Sequence, residues 1–279
     1  MAESVQRYNR DDIPLYLCVP SKDLNDFKAF FEDLPCRFIT DEGVLEKTAR
    51  AFGPPPNLFP TSLNQQLIKL EFWRLGLCAN YVWIDSDHYF IKPFTRDVFL
   101  SKDAVPYTVQ HNAIELRSYS EKFDQKVIRD FEKMASHLQG LFQRSGALYN
   151  FGYPPLIWSS RVLTSLYEDY LKPSGKSIYE VLYKYPCEMH LYGEYLHASN
   201  IIPILPIEPL FKVYHYPEMF YESQMLGESE QGLAKDYYGL VMQSNWTNIS
   251  ESKKNDLKRL MRFVRRVKRK LGFTGFDKN

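Results

Sequence analysis

The chain is poor in cysteine and has no long apolar run. Its four cysteines, Cys18, Cys36, Cys78 and Cys187, are far apart and form no Cys-x-x-Cys pair, which argues against a disulfide framework or a thiolate metal site. Three of them lie in apolar surroundings, as reduced, packed thiols do in a cytosolic protein. No stretch of 18 apolar residues exists, so no transmembrane helix is expected. Met1 to Asp12 is polar and lacks the apolar core of a secretion signal, so the expected location is cytoplasmic. Internal repeats and low-complexity tracts are absent as well. There is no excess of either charge overall: 35 Lys and Arg face 34 Asp and Glu. The neutrality hides an asymmetry. From Glu251 to Asn279 there are 11 basic residues against 3 acids, a net of +8, so the remainder carries −7. A basic tail on an acidic body calls for its own explanation.

What is present suits a globular α/β chain. The 279 residues, 44% of them hydrophobic, are enough to bury a sizeable core. Ile13 to Pro20 reads as a first strand left by the loop Ser21-Lys22-Asp23, and Leu24 to Leu34 as a helix with Phe27, Phe30, Phe31 and Leu34 on one stripe. Cys36 to Thr40 reads as a second strand ending at Asp41-Glu42. Ser21, Asp23 and Asp41 have two open readings: contacts to a nucleotide, or ordinary caps and turn formers. After a proline-rich loop, Ser62 and Gln65 fit a capping box and Gly76 a helix terminus, with Gln65, Gln66 and Lys69 on a polar stripe. That stripe reads equally as a solvated face.

The segment Tyr81-Val82-Trp83-Ile84 then reads as a strand buried on both faces, of the kind found in parallel sheets. It stops at Asp85-Ser86-Asp87. Residues i and i+2 of an extended chain face one side, so the two carboxylates are expected to converge at the strand's end, where open α/β sheets bind ligands. Hard oxygen donors suit Mg2+ or Mn2+ and leave coordination positions for phosphates. The alternative is a solvated turn. Further on, Ser120 to Phe142 reads as an amphipathic helix, and the aromatic stretch Leu148 to Trp158 as a loop that either packs inward or stacks on sugar rings. Cys187 to Leu196 reads as a helix carrying Glu188 and Glu194, and Leu210 to His215 as a late strand ending in a histidine. Such a histidine is commonly a packed residue.

Taken together, Gln65-Gln66-Leu-Ile-Lys69, Trp83-Ile84-Asp85-Ser86-Asp87, Glu188-x-x-Leu191-Tyr192-Gly193-x-Tyr195 and His215 resemble the GT-A class of nucleotide-sugar glycosyltransferases, in particular a poorly characterised bacterial family within it. The resemblance runs from Pro14 to Pro217, with Met189 where that family more usually has tyrosine. It implies a Rossmann-type mixed sheet flanked by helices over residues 1–250. It also implies that Asp85 and Asp87, with His215 as third ligand, hold Mn2+ or Mg2+ and that Asp85 serves the donor's diphosphate as well. Ser21 and Asp41 would lie at the nucleotide base, and Gln66 and Lys69 near the phosphates. Glu188 matches the acceptor-activating carboxylate, with Glu194 as the alternative base. The function implied is transfer of a sugar from a nucleotide diphosphate to a hydroxyl of a surface polysaccharide or lipid-linked glycan. A non-catalytic glycan- or nucleotide-binding module on the same fold is the alternative. A phosphoesterase would need more clustered ligands than the sequence offers.

The tail, residues 251–279, keeps Leu257, Leu260, Met261, Val264, Val267 and Leu271 on one helical stripe among basic residues. Three readings compete: docking on the body, a nucleic-acid arm, or an interfacial helix on an anionic membrane through residues 253–271. An acidic body repels a phosphate backbone, so no nucleic-acid partner is expected. Each basic residue near an anionic surface contributes about 1 kcal/mol, which favours peripheral attachment at the inner face of the plasma membrane.

Overall fold

The computed structural model describes residues 1–242. Helix α1 (Ala2–Tyr8) is followed by strand β1 (Leu15–Val19), α2 (Leu24–Phe30), β2 (Cys36–Thr40), α3 (Asp41–Phe52) and α4 (Asn64–Glu71). Next come β3 (Asn80–Trp83), β4 (His88–Phe90), β5 (Thr108–Val109), α5 (Ile114–Lys122), α6 (Lys126–Leu141), β6 (Leu156–Ser159) and α7 (Ser160–Ser165), which continues as a π-helical stretch, Leu166–Leu171. The described part closes with α8 (Ile178–Lys184), α9 (Glu188–Ser199), β7 (Pro206–Ile207), β8 (Phe211–Tyr214), α10 (Pro217–Leu226), α11 (Glu230–Leu233) and β9 (Gly239–Met242). The class is therefore mixed α/β. The strands, however, form four small sheets among the described residues: β1-β2, β3-β6, β4-β9-β8 and β5-β7. The single mixed layer expected of a Rossmann-type sheet is divided among them.

Local chemistry explains several departures from the expected elements. Asp41 and Glu42 do not end in a loop: Thr40 Oγ1 accepts from the Gly43 N–H at 3.2 Å and starts α3, whose first turn favours acids near its unpaired N–H groups. The capping box expected of Ser62 and Gln65 is absent, because a 3-10 turn over Thr61–Leu63 leads into α4 without a side-chain cap. Gly76 does end the following turn, at a φ of 68° that suits glycine. The helix expected over Ser120 to Phe142 is split between α5 and α6. There Ser120 Oγ donates to the Asp124 carbonyl at 2.9 Å and the Asp124 carboxylate accepts from the Lys126 N–H at 2.9 Å, a local turn that competes with the helix. The α2 stripe faces outward. None of its residues is buried, Phe30 is 79% exposed, and its ring packs edge-on to Phe31 with centroids 4.8 Å apart.

Strand β3 pairs antiparallel with β6, from Asn80 opposite Ser159 to Trp83 opposite Leu156, rather than in a parallel sheet. Of its four residues only Trp83 is buried. The main core gathers on this strand pair and on α9. Trp158 meets Trp83 edge-on with centroids 5.2 Å apart and stacks on Tyr192 at 5.0 Å. The aromatic loop before β6 also packs inward, with Phe151 and Tyr153 buried. Phe151 lies directly on α9: a Cβ added to Gly193 would come 2.2 Å from its ring. That close approach is the physical reason for glycine after Tyr192. No described helix is long and apolar enough to cross a membrane, and the basic tail lies outside the described residues.

Gly193→Ala is accordingly expected to lower stability by about 1–3 kcal/mol, the usual cost of overpacking a well-filled core. Urea denaturation checks this, and the cost should shrink when Phe151 is also replaced by leucine.

Candidate active site

Three elements far apart in sequence converge on one ammonium. Lys69 projects from α4, Asp85 follows β3, and Glu188 opens α9. Lys69 Nζ lies 2.8 Å from Asp85 Oδ1 and 3.1 Å from Oδ2, and it also donates to Glu188 Oε1 at 3.4 Å. It sits 4.0 Å from the centre of the Trp83 ring, a further favourable position for a cation. The Tyr81 hydroxyl donates to the Lys69 carbonyl at 2.7 Å, tying α4 to β3. The site is graded in exposure: the side chain of Asp85 is 40% exposed, that of Lys69 15% and that of Glu188 7%. Burial lifts the Glu188 carboxyl above the ordinary glutamate range, while Lys69 opposes the shift. A carboxyl so placed is poised to exchange a proton nearer neutrality than a surface glutamate does.

Asp87 is built differently. Its carboxylate accepts from His88 Nδ1–H at 2.8 Å, and its carbonyl accepts from the Met242 N–H at 3.0 Å, where β9 runs past β4. Burial pushes the His88 pKa down, while Asp85 and Asp87 oppose the shift. The Asp-Ser-Asp segment is thus a turn between β3 and β4, with the His88 N–H donating to the Asp85 carbonyl at 3.2 Å. Lys69, Asp85 and Glu188 thus form one ion cluster, while the Asp87 carboxylate is turned to His88.

The three-ligand set expected for the metal is not assembled. Among the described residues no three His, Cys, Asp or Glu side chains come together as a metal would require. His215 follows β8 and packs against Tyr153, with ring centroids 4.1 Å apart; burial, with His111 and Lys212 nearby, pushes its pKa down to about 4. It is a packed histidine at the end of a strand.

Glu194 is engaged elsewhere. It lies six residues beyond Glu188 on α9, is completely buried, and forms a two-pronged ion pair with Arg144, with Nη2 2.8 Å from Oε1. Arg144 also donates to the Ala147 carbonyl at 2.9 Å, so the pair pins the loop after α6 onto α9. A carboxylate occupied in this way serves structure. Gln66 donates to the Pro186 carbonyl at 3.4 Å, joining α4 to the start of α9 beside Glu188. Ser21 bonds Glu42, not Asp41: its N–H and Oγ both donate to Glu42 Oε2, at 2.8 and 2.6 Å, and this holds the Glu42 carboxyl below its usual range. Asp41 is partly buried in the first turn of α3, and burial, then Glu42, raises its carboxyl. These residues form a corner at the carboxyl ends of β1 and β2, held by their own contacts.

Sequence reasoning passed over Trp83, His88 and Arg144 as site or support residues. Trp83 and His88 flank the acidic turn and were findable by adjacency; Arg144 was not, since its partner is 50 residues away. In comparisons with known proteins, no family model and no curated protein matches the chain.

Breaking the Arg144–Glu194 pair from one side leaves a buried charge unpaired. Arg144→Leu is expected to cost about 3–5 kcal/mol, and adding Glu194→Leu to recover much of it. A double-mutant cycle of thermal unfolding measures the coupling.

Proposed function

We propose that the chain is a divalent-cation-dependent glycosyltransferase of the GT-A type, which moves a sugar from a nucleotide diphosphate to a hydroxyl of a bacterial surface polysaccharide or lipid-linked glycan. The observation that carries this reading is the placement of Lys69 between Asp85 and the buried Glu188. One site then holds both things the chemistry needs, a charge acceptor for a diphosphate and a base of raised proton affinity. The resemblance of the Gln-Gln-x-x-Lys, Asp-x-Asp and Glu-x-x-Leu-Tyr-Gly segments supports it.

In this mechanism Asp85 and Asp87 would hold Mn2+ or Mg2+, which would supply Lewis-acid stabilisation of the diphosphate. Glu188 accepts the proton of the acceptor hydroxyl as its oxygen bonds to the anomeric carbon. The bond from that carbon to the diphosphate oxygen breaks, and the electron pair leaves with the diphosphate. Lys69 stabilises the negative charge developing there, in a partly buried site where such interactions are stronger than in water. A positioned base contributes about 10²–10⁴-fold in rate. Gln66 and Trp83 keep Lys69 and the start of α9 in place. Ser21 and Asp41, at the ends of β1 and β2, are proposed to face the nucleotide base. The basic tail supports attachment to an anionic membrane surface, beside a lipid-linked acceptor.

A thermal-shift screen of nucleotide diphosphate sugars tests the donor site. The wild type with Mn2+ is expected to gain stability from the correct donor, about 2.7 kcal/mol at a hundredfold excess over Kd. Asp87→Ala is expected to lose the response. No shift with any nucleotide, or an equal shift in the variant, would show the assignment to be wrong.

A further inference from the structure

Four of the chain's six histidines pack on one short segment, residues 149–153. His111 Nε2–H donates to the Gly152 carbonyl at 2.5 Å, and its Nδ1 accepts from the Ala113 N–H at 3.3 Å. His190, on α9, meets Phe151 edge-on with ring centroids 5.7 Å apart, and its Nδ1 lies 3.1 Å from Cys187 Sγ. His197, further along the same helix, is 5.4 Å from the Tyr149 ring and bonds Gln110 Oε1 at 2.6 Å. His215 lies against Tyr153, and its Nε2 has no hydrogen-bond partner among the described residues. The segment in turn covers α9. Phe151 sits on Gly193, and a Cβ on Gly152 would meet Met189 Sδ at 3.5 Å, one residue from Glu188.

This packing needs neutral rings. His111 uses one nitrogen as donor and the other as acceptor, so a second proton would point at the Ala113 N–H. Of the charged groups nearby, Lys212 opposes a charge on His215 and Arg144 one on His197, while His111 opposes a charge on both His190 and His215. Glu208 and Glu115 favour a charge on His111, as the Tyr149 backbone does on His190, and the buried Cys187 thiol stays neutral. Burial outweighs them: it pushes all four pKa values down, to about 4 for His190 and His215. We propose that the four histidines form an acid-sensitive latch, which holds residues 149–153 against α9 while the rings are neutral and releases the segment when they take up protons. An exposed histidine titrates near 6.5, so the closed form keeps its full stability above about that pH and loses it as the pH falls toward 4. At pH 5 the opening becomes about 30-fold more frequent for each of His190 and His215, or about a thousandfold for the two. In a well-packed core that still leaves the open segment a minority state, which amide exchange detects and a steady-state rate does not. The latch goes beyond the proposed transferase activity and stands on these contacts alone.

Hydrogen exchange of the full chain at pH 7 and pH 5, corrected for the intrinsic pH dependence of exchange, tests this. The Asn150 amide, bonded to the His111 carbonyl at 2.9 Å, is expected to lose about a thousandfold in protection at pH 5, while the amides that join β3 to β6 keep theirs. His190→Gln and His215→Gln are each expected to remove about 30-fold of that loss, and the double variant nearly all of it. Unchanged protection at pH 5, an equal loss across β3 and β6, or an undiminished loss in the double variant would overturn the latch. Should the variants fold poorly, an NMR titration of the wild-type rings decides: His190 and His215 that stay neutral down to pH 5 support it, and rings that titrate near 6.5 while Asn150 stays protected overturn it.

Discussion

A single ammonium shared by two carboxylates is the constraint around which this molecule is arranged. Lys69 meets Asp85 across 16 residues and Glu188 across 119, so α4, the end of β3 and the start of α9 must all be in place before the cluster exists. Each partner alone would be costly where it stands. Glu188 is almost wholly buried, and a buried carboxylate without a counter-charge either takes up a proton or destabilises the fold. The packing of Trp158 between Trp83 and Tyr192, and of Phe151 on Gly193, brings these elements to the required spacing. The site is thus a product of the core rather than an addition to its surface.

The same economy governs the other buried charges. Glu194 is matched by Arg144, and Glu71 by Arg74, while the Asp87 carboxylate meets His88 Nδ1. These pairs leave Asp85 as the most exposed carboxylate bonded to Lys69, and so the one within reach of a ligand. Division of labour between Glu188 and Glu194 follows from their partners. A glutamate gripped by a guanidinium through both its oxygens is fixed in position. Glu188 shares one ammonium with Asp85, at the longer distance of 3.4 Å.

Much of this was legible along the chain wherever the deciding contact is local. Strand β2 and the helix carrying Glu188 appear where their composition places them, and the acidic turn lies at the end of β3 as the abrupt change from apolar to acidic residues implies. What could not be read were choices made by distant partners. Tyr81 to Trp83 look like a central parallel strand, yet β6, some 75 residues later, pairs with them antiparallel. The phenylalanines of α2 have helical spacing and no surface to cover, since amphipathic periodicity shows that one face is apolar without saying what lies against it. Helix α3 went unseen because Asp41 and Glu42 have turn chemistry until Thr40 is recognised as a cap. His215 carries the right residue type for a metal ligand but ends its strand beside Tyr153. Charge type and local pattern were readable, while convergence in space was not.

The central claim is that Glu188 takes the acceptor proton in a site charged by Lys69 and Asp85. Release of nucleoside diphosphate from a cognate donor and acceptor, followed against pH for the wild type and Glu188→Gln, tests it most directly. Because the Glu188 pKa is raised in the folded chain, the wild-type rate is expected to fall on acidification at a pH above the ordinary glutamate value of about 4.3. Glu188→Gln is expected to lose about 10²–10⁴-fold in rate together with that acid limb. A variant that keeps the wild-type rate, or the same acid limb, would contradict the account.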